Sequence, residues 1–473
     1  MRVLLTGATG YVGRRLMERL AGDADIDLRL FVRNAAKVAP PPGKAVEIVE
    51  GTSFDPGSLR AACRGMDAAY YLIHSLGAGT GFSDLERRSA ENFRDACVEA
   101  GVGRIIYLGG LGTKATASEH LRSRIETGEI LSARPDRVRT LWFRAGVVIG
   151  SGSASFEIIR NLVQKLPVMI TPKWVLTRTE PIGIADVVEY LRAGLTQPLA
   201  GNLVVDIGAG AMTFRDMLLG AARAMGLRRR LIRVPFFSPR LSSYWLILMT
   251  PVPYRIARAL VEGLKSETIV SNDAARIHFP AIVPASYERA FARALDEIEH
   301  HQVISRWCDS AAGGVCELNP PERISDAVFR DRKEASFKGT GADPVYRTLL
   351  SIGGDRGWFA FNGLWRIRGW IDKLLGGPGL NRGRRDTAEL RIGDGIDFWK
   401  VLDLRPGKRL LLLAQMKLPG RAWLEFVLEG DRLVQTAYFL PRGLGGRLYW
   451  YSMLPAHTFI FRRLIRRILA HSK

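Results

Sequence analysis

Three glycines near the start of the chain have the type and spacing that bind a pyrophosphate. Gly7, Gly10 and Gly13 follow an apolar run at residues 3–5 and precede residues 14–20, which have the composition of a helix. Gly7 allows a tight turn, Gly10 lets the backbone approach a phosphate, and Gly13 lets the helix pack closely on the strand. A helix that begins there presents N–H groups to an anion. We therefore predict a dinucleotide site; the alternative is a turn whose glycines serve packing alone.

The residues around this turn extend the predicted site. Arg33 stands 20 residues beyond Gly13, where an NAD enzyme would place an acidic side chain on the ribose 2′-hydroxyl. A guanidinium suits a 2′-phosphate instead, so NADP is the expected cofactor. The alternative is a solvated arginine at the end of a strand. The residues of the turn that we expect to contact the cofactor are Gly7, Thr9, Gly10, Tyr11, Val12 and Gly13.

Two further candidate contacts follow later strands. Asp55 precedes Pro56, a pattern typical of a helix N-cap with proline at the first helical position, and a contact with adenine is an equal alternative. The apolar run at residues 68–73 predicts a strand that ends in Leu72 and Ile73 and is followed by His74. This end of such a strand lies beside the cofactor in open α/β sheets. His74 is therefore either a cofactor contact or a satisfied structural group.

These residues need a frame of alternating strands and helices to position them. Short apolar runs at residues 3–5, 28–32, 45–49, 68–73 and 104–108 are separated by stretches with helical composition. Such alternation is typical of a parallel sheet that carries helices on both faces. The predicted fold class is an α/β Rossmann domain with a doubly wound parallel sheet.

Five sequence motifs lie along this frame, each occurring once. They are TGATGYVG at residues 6–13, AAYYLIHSLG at 68–77, ENFRDACVEAGVGRIIYLGGLG at 91–112, FRAGVVIG at 143–150 and PIGIADVV at 181–188. Together they resemble the extended and atypical short-chain dehydrogenase/reductase superfamily, in its NmrA-like branch, over residues 1 to about 300. The resemblance implies an NADP-binding domain at residues 1–310, in which residues from about 151 to 300 form a substrate-side lobe.

The resemblance also implies a catalytic set, from which this chain departs. Active members place Ser or Thr after the fifth strand, and a Tyr four residues before a Lys. Here the hydroxyl position corresponds to Gly109 or Gly110, and the Tyr and Lys correspond to His120 and Arg124. His120 could act as a general acid near neutral pH. Arg124 could hold the nicotinamide ribose or polarise a carbonyl, although it stays protonated and cannot act as a base. The alternative is a purely structural helix.

Length, charge and cysteine content limit the number of domains, the cellular location and the metal content that we expect. The 473 residues exceed what one hydrophobic core usually holds, so two domains are expected. Of the net charge of +21, +14 lies in residues 330–473, where 27 Lys and Arg meet 13 Asp and Glu. A first strand at residue 2 or 3 leaves no room for a signal peptide, and no apolar run is long enough for a membrane span. We expect a cytoplasmic protein with reduced thiols. No metal is expected, because no metal-site spacing occurs among Cys63, Cys97, Cys308, Cys316, His300 and His301.

The second predicted domain, residues 324–473, has a different pattern. Apolar runs at residues 396–404, 409–416, 422–428 and 433–440 are separated by turn signals and predict an antiparallel meander. Residues 455–473 predict one amphipathic helix. This outline resembles the START-like helix-grip fold, in which a sheet wraps around a helix and encloses an apolar cavity. The two halves together also resemble bacterial proteins that fuse an atypical dehydrogenase to an uncharacterised C-terminal domain.

Four arginines of this last helix, at positions 462, 463, 466 and 467, lie opposite its apolar residues. The leading expectation is a closing helix whose cationic face is in water. Peripheral attachment to the anionic surface of the inner membrane is the second alternative. We expect no nucleic-acid partner, because the sequence contains no recognised nucleic-acid-binding motif beside these basic residues.

The two domains together suggest a function. Residues 241–264, rich in aromatic side chains, would either cap the carboxyl edge of the sheet over an apolar substrate or pack against the second domain. We predict an NADP-dependent oxidoreductase that reduces a small apolar carbonyl, enone or quinone-like substrate. The replaced catalytic positions favour an alternative, a non-catalytic NADP-binding sensor or scaffold whose C-terminal domain binds a lipophilic ligand.

Overall fold

The computed structural model describes most of the chain and divides it into two units. The described residues are all but 36–37, 39, 41–45, 74–81, 116, 172, 234–261, 264–265, 301–302, 306–323, 325–326, 340, 375–378, 381–383, 385–388 and 473. One compact unit includes the described residues up to 305, and the other includes those from 324 onwards. Each of the described hydrophobic clusters belongs to one unit alone. The predicted cap at residues 241–264 lies almost entirely outside the described residues.

The first unit is built on a parallel sheet. Among its described residues, seven strands pair in the order β11-β6-β5-β4-β1-β2-β3, all parallel. The remaining strands form two-stranded pairs. The strands are β1 (Arg2–Thr6), β2 (Asp27–Val32), β3 (Glu47–Glu50), β4 (Ala68–Tyr71), β5 (Arg104–Gly110), β6 (Arg139–Ala145), β7 (Val148–Ile149), β8 (Val168–Thr171), β9 (Arg178–Thr179), β10 (Ile182–Gly183), β11 (Leu203–Ile207), β12 (Met212–Thr213) and β13 (Arg230–Arg233).

Helices cover both faces of this sheet. Val3 and Leu5 of β1 lie in one hydrophobic cluster and Leu4 lies in another, which explains the continuous apolar run. The predicted doubly wound parallel sheet is therefore confirmed. The described α-helices of this unit are α1 (Tyr11–Ala21), α2 (Pro56–Cys63), α3 (Phe82–Glu99), α4 (Glu119–Leu131), α5 (Ala154–Lys165), α6 (Ile184–Ala193), α7 (Phe214–Ala224), α8 (Ala274–His278) and α9 (Tyr287–Glu299).

The limits of one strand differ from the prediction for a local reason. The apolar run at residues 68–73 predicts a strand of that length, whereas β4 ends at Tyr71. The backbone N–H of Leu72 donates to Oγ1 of Thr6 at 3.2 Å, and that hydroxyl donates to the carbonyl oxygen of Tyr70 at 2.8 Å. A side chain of β1 thus takes the place of the next ladder bond. The carboxyl ends of β1 and β4 are tied together by it.

The second unit is an antiparallel sheet with helices. Its described strands pair in the order β14-β19-β18-β17-β16-β15. The predicted meander is confirmed, and β14 adds an edge strand that the sequence did not predict, because charged residues dominate it. The elements are β14 (Phe329–Ser336), α10 (Ala342–Leu350), α11 (Asn362–Leu374), β15 (Gly395–Ile396), β16 (Trp399–Arg405), β17 (Arg409–Ala414), β18 (Gly420–Glu429), β19 (Arg432–Pro441) and α12 (Gly443–Ala470).

The last helix is longer than predicted. The expected start at residue 455 is wrong, because α12 begins at Gly443 and contains Pro455 in its interior. Phe461, Leu464, Ile465 and Ile468 are buried in the core of the unit, and the four neighbouring arginines are exposed. The expected closing helix with a cationic outer face is confirmed; the helix-grip resemblance stays a prediction. In the part of the chain that the structure describes, no helix is long and apolar enough to cross a membrane.

Candidate dinucleotide-binding and active site

The glycine turn between β1 and α1 leaves no room for side chains. Gly7 has a φ of +73°, and a Cβ there would lie 2.4 Å from the carbonyl oxygen of Leu72. A Cβ on Gly13 would lie 2.2 Å from the carbonyl oxygen of Gly7. The N–H of Gly10 closes the turn by donating to the same oxygen at 2.8 Å. Gly7 and Gly13 are therefore required by backbone contacts, in the roles that the spacing predicts.

The start of α1 is suited to a phosphate. Gly10 is its N-cap and has no side chain to cap the first amides. The first N–H groups of a helix have no acceptor within the helix, and the dipole there favours negative charge. Thr9 and Val12, two other predicted contacts, are partly exposed within this stretch. The residues present therefore fit a dinucleotide pyrophosphate.

The turn lies where the sheet changes direction. Strands β2 and β3 extend from one side of β1, and β4, β5, β6 and β11 extend from the other. The close approach of Gly7 to Leu72 joins the two carboxyl ends at this switch point, where open α/β sheets bind ligands. Leu72 and Ile73 are both partly exposed there. His74 lies outside the described residues, so its predicted contact stays a prediction.

Residues from three of the five sequence motifs contact one another beside the glycine turn. A Cβ on Gly150 would lie 2.6 Å from the hydroxyl of Tyr11 and 2.3 Å from Cγ2 of Ile184. Tyr11 belongs to TGATGYVG, Gly150 to FRAGVVIG and Ile184 to PIGIADVV. Burial raises the pKa of the Tyr11 phenol well above its ordinary value, so that hydroxyl stays protonated. This contact explains Gly150, and the sequence offers no local signal for it.

Arg33 and Asp55 lie at the edges of the predicted site. Arg33 directly follows β2, the neighbour of β1, and its side chain is exposed. The Asp55 carboxylate accepts from the N–H groups of Gly57 at 3.0 Å and Ser58 at 3.1 Å, and these bonds lower the pKa of the carboxyl. The N-cap interpretation of Asp55 is confirmed. A contact of Asp55 with adenine stays a prediction.

Neighbouring side chains occupy the space next to both glycines at the carboxyl end of β5. A Cβ on Gly109 would lie 2.4 Å from Nε1 of Trp142, and a Cβ on Gly110 would lie 2.6 Å from Cδ1 of Leu121. Trp142 is only 6% exposed, and its ring also fills the space next to Gly128 of α4. The absence of a side chain at these two glycines is thus explained by the packing of Trp142 from β6 and Leu121 from α4. Trp142 is a site-shaping residue that the sequence did not reveal, because no motif singles it out.

His120 and Arg124 lie one turn apart on α4. The Arg124 guanidinium donates to the carbonyl oxygen of Leu108 and lies 5.2 Å above the ring of Tyr107. The Tyr107 hydroxyl donates back to the Arg124 carbonyl oxygen at 2.9 Å, and burial raises the pKa of this phenol to about 12. His120 is partly exposed. Arg124 is therefore held against β5 through Leu108, the residue before Gly109, and the part of Arg124 or His120 in catalysis stays a prediction.

Comparisons with known proteins agree with this geometry. Residues 7–134 match a family described as NAD(P)H-binding, and residues 323–464 match DUF2867, a family of unknown function. A ceramide reductase of Caulobacter vibrioides is 26% identical over 238 residues, which are 49% of this chain and 73% of that protein. A (4-alkanoyl-5-oxo-2,5-dihydrofuran-3-yl)methyl phosphate reductase of Streptomyces griseus is 23% identical over 271 residues, 56% of this chain and 86% of that protein.

A solved structure shows the same fold in the first unit. The triphenylmethane reductase of a Citrobacter species superposes with a TM-score of 0.51 at 18% identity, over 63% of this chain and all of the other. Its complex with NADP(H) gives a TM-score of 0.50. The second unit matches the family of unknown function, and its START-like resemblance stays a prediction. The N-terminal unit therefore has a Rossmann fold, and its residues 7–134 are similar to NAD(P)H-binding domains.

Proposed function

We propose that this protein is an NADPH-dependent reductase of a small apolar carbonyl, enone or quinone-like compound. The observation that carries the proposal is the glycine turn at the β1–β4 switch point, together with a cationic side chain, Arg33, directly after the neighbouring strand β2. Arg33 supports the phosphorylated cofactor, since a guanidinium pairs well with a 2′-phosphate. Two of the relatives that match the first unit are reductases by name, which supports the direction of the reaction.

The proposed chemistry divides among the chain's own groups. The turn and the start of α1 would hold the pyrophosphate, and Arg33 the 2′-phosphate. Bound NADPH supplies a hydride. His120 would donate a proton to the substrate oxygen, a role that suits an imidazole near neutral pH. Arg124, anchored on β5 through the Leu108 carbonyl, would orient the ribose or polarise the carbonyl.

Loss of the imidazole tests this assignment. We expect purified protein to oxidise NADPH with at least one member of a panel of lipophilic aldehydes, enones and quinones. His120→Gln should lower kcat by about 10²-fold or more, with the Kd for NADPH unchanged, because general acid catalysis contributes about that much. The matched control is His300→Gln, since the His300 side chain is exposed on the same unit. An equal loss in both variants, or no turnover with any acceptor, contradicts the reductase proposal.

The second candidate function is a non-catalytic NADP-binding sensor or scaffold. It is favoured by the packing of Trp142 against Gly109, which fills the place of the usual hydroxyl. It shares the cofactor site with the reductase proposal and differs in expecting no turnover. Tight NADPH binding without NADPH oxidation across the panel would favour this second function. In either function we propose that the second unit binds the lipophilic ligand.

We also propose peripheral contact with an anionic membrane, through α11 rather than through the arginine helix. Most apolar residues in the C-terminal half of α12 are buried in the core, which leaves Phe459 as an exposed apolar side chain beside the arginines. On α11, five large apolar side chains at helical spacing are 42–58% exposed: Leu364, Ile367, Trp370, Ile371 and Leu374. An exposed apolar stripe of this kind marks an interaction surface, and Trp is favoured at the membrane interface.

A further inference from the structure

Three polar side chains of the second unit lie together on the inner face of its sheet. Lys333 of β14 is directly opposite Gln435 of β19, and Asp331 is opposite Ala437. Leu433 and Ala437, two residues to either side of Gln435, belong to the core cluster. Since strand side chains alternate between faces, Gln435 points to the same side as these core residues. Paired positions of neighbouring strands have adjacent side chains, so the three polar groups are neighbours.

His457 of α12 joins this group from above the sheet. Its ring centroid lies 5.3 Å from that of Trp450 and 4.9 Å from that of Phe461. Trp450 stacks on Phe329 of β14 at 5.4 Å and on Phe439 of β19 at 5.8 Å. These contacts place this part of α12 over the two strands that carry the polar residues. Aromatic side chains of α12, β14 and β19 therefore lie next to the cluster of polar side chains.

Four polar atoms of this cluster are buried without a hydrogen-bond partner among the described residues. They are Oδ2 of Asp331, Oε1 and Nε2 of Gln435, and Nδ1 of His457. Gln435 is 1% exposed and Asp331 is 8% exposed, so bulk water does not satisfy them. Buried polar groups in native proteins are almost always paired. Four such atoms at one place need a hydrogen-bond partner that the described residues do not supply.

The charges in the cluster show what kind of group fits. The Asp331 carboxylate and the Lys333 ammonium form an ion pair, so their charges cancel. Burial lowers the pKa of His457, which keeps its ring neutral at pH 7. Within the residues that the structure describes, no three His, Cys, Asp or Glu side chains are arranged to hold a metal. Because the ion pair and the neutral imidazole leave the cluster with no net charge, the site favours a neutral partner over a phosphate or a cation.

We propose that Asp331, Lys333, Gln435 and His457 form a binding site for the neutral polar group of an amphiphilic molecule, a hydroxyl or a carboxamide carried on a hydrocarbon body. Such a group donates a hydrogen bond to the carboxylate oxygen and exchanges hydrogen bonds with the glutamine amide. The hydrocarbon body contacts the aromatic side chains around Trp450. The site lies within the second unit and is independent of the cofactor site.

Calorimetry on the full chain with three ten-carbon probes tests the proposal. Decanamide and 1-decanol should bind at least about tenfold more tightly than decanoate, because a buried neutral site rejects a carboxylate. Gln435→Met keeps the side-chain length and removes the amide. We expect it to weaken decanamide binding at least about tenfold, a loss typical of one buried hydrogen-bonded group. Its unfolding midpoint should not fall, since no protein partner of the amide is lost.

Thr436→Val is the matched control, because it changes the next residue of β19 on the opposite face. It should leave decanamide affinity within about twofold, and NADPH affinity should be the same in both variants, which separates failure of this site from failure of the cofactor site. If Gln435→Met does not fold, His457→Phe should produce the same tenfold loss. Absence of binding, equal binding of all three probes, or decanamide affinity unaffected by the variant that folds overturns the proposal and leaves water as the partner of these atoms.

Discussion

At the scale of single residues, Arg33 is the side chain that we propose selects NADP over NAD. The parallel register of β1 and β2, from Arg2 opposite Asp27 to Thr6 opposite Phe31, brings Arg33 beside the glycine turn. We expect Arg33→Asp to raise the Kd for NADPH at least about tenfold, equivalent to about 1.4 kcal/mol, through loss of the ion pair with the 2′-phosphate. The Kd for NADH should stay the same or fall, because a carboxylate suits the ribose hydroxyl. Calorimetric titration with both cofactors measures the change.

The control for this variant is Arg64→Asp. Arg64 is exposed in the same unit and carries the same charge. Its replacement should leave the ratio of NADPH to NADH affinity unchanged. A similar shift in both variants would assign the effect to net charge alone. An unchanged ratio in Arg33→Asp would contradict the proposed choice of NADP.

The cofactor turn was predictable because its contacts are local or follow a general rule. Gly7 and Gly13 touch within six residues of sequence, and the strand before them is visible as an apolar run. The approach of Gly7 to Leu72 follows from the switch-point rule. The meeting of Tyr11 with Gly150 was not predictable, since no pattern in one sequence joins two positions so far apart.

At the scale of elements, the indole ring of Trp142 on β6 packs between β5 and α4. A Cβ on Gly109 of β5 or on Gly128 of α4 would lie 2.4 Å from its indole. Gly109→Ser, which introduces the hydroxyl that the resemblance implies at this position, should therefore lower the free energy of unfolding by about 1–3 kcal/mol, the usual cost of overpacking. Gly110→Ser should cost less, because the end of the flexible Leu121 side chain can move away. Urea denaturation of both variants measures the difference.

A double-mutant cycle measures the interaction between Trp142 and the side chain placed at position 109. Trp142→Phe removes the part of the ring that lies next to Gly109, so the double variant should be less destabilised than the sum of the two single variants. Contacting residues typically couple by about 0.5–3 kcal/mol. Strict additivity would show that the serine is excluded for another reason. The same result would weaken the packing argument for the non-catalytic alternative.

The same scale shows why strand β14 and the first half of α12 escaped prediction. The glycines at positions 443, 445 and 446 and the proline at 455 are helix breakers, yet α12 runs through all four. The stacking of Trp450 on Phe329 and Phe439 holds this part of the helix in place. Strand β14 is an edge strand with charged residues on its outer face, so it lacks the apolar run of its neighbours. Tertiary packing overrides local preference in both.

At the scale of the whole molecule, most of the net charge lies in the region that also carries the apolar stripe of α11. The region from residue 330 carries +14 of the net +21. The same region presents the apolar stripe of α11 and the exposed Leu444, Leu448, Tyr451 and Phe459 of α12. Apolar insertion and attraction to anionic lipid would therefore act together on this unit. Basic residues near an anionic surface contribute about 1 kcal/mol each, and salt screens this attraction within about a Debye length.

Co-sedimentation with vesicles tests this combination. The full chain should bind phosphatidylcholine vesicles that contain phosphatidylglycerol, bind pure phosphatidylcholine much less, and lose most of its binding between about 0.05 and 0.5 M salt. Ile367→Glu should reduce binding at least about tenfold, because it places a charge within the apolar stripe. Val283→Glu is the matched control, an 83% exposed apolar residue of the first unit. Binding that is insensitive to salt, or lost equally in both variants, would show that α11 does not attach this protein to anionic lipid.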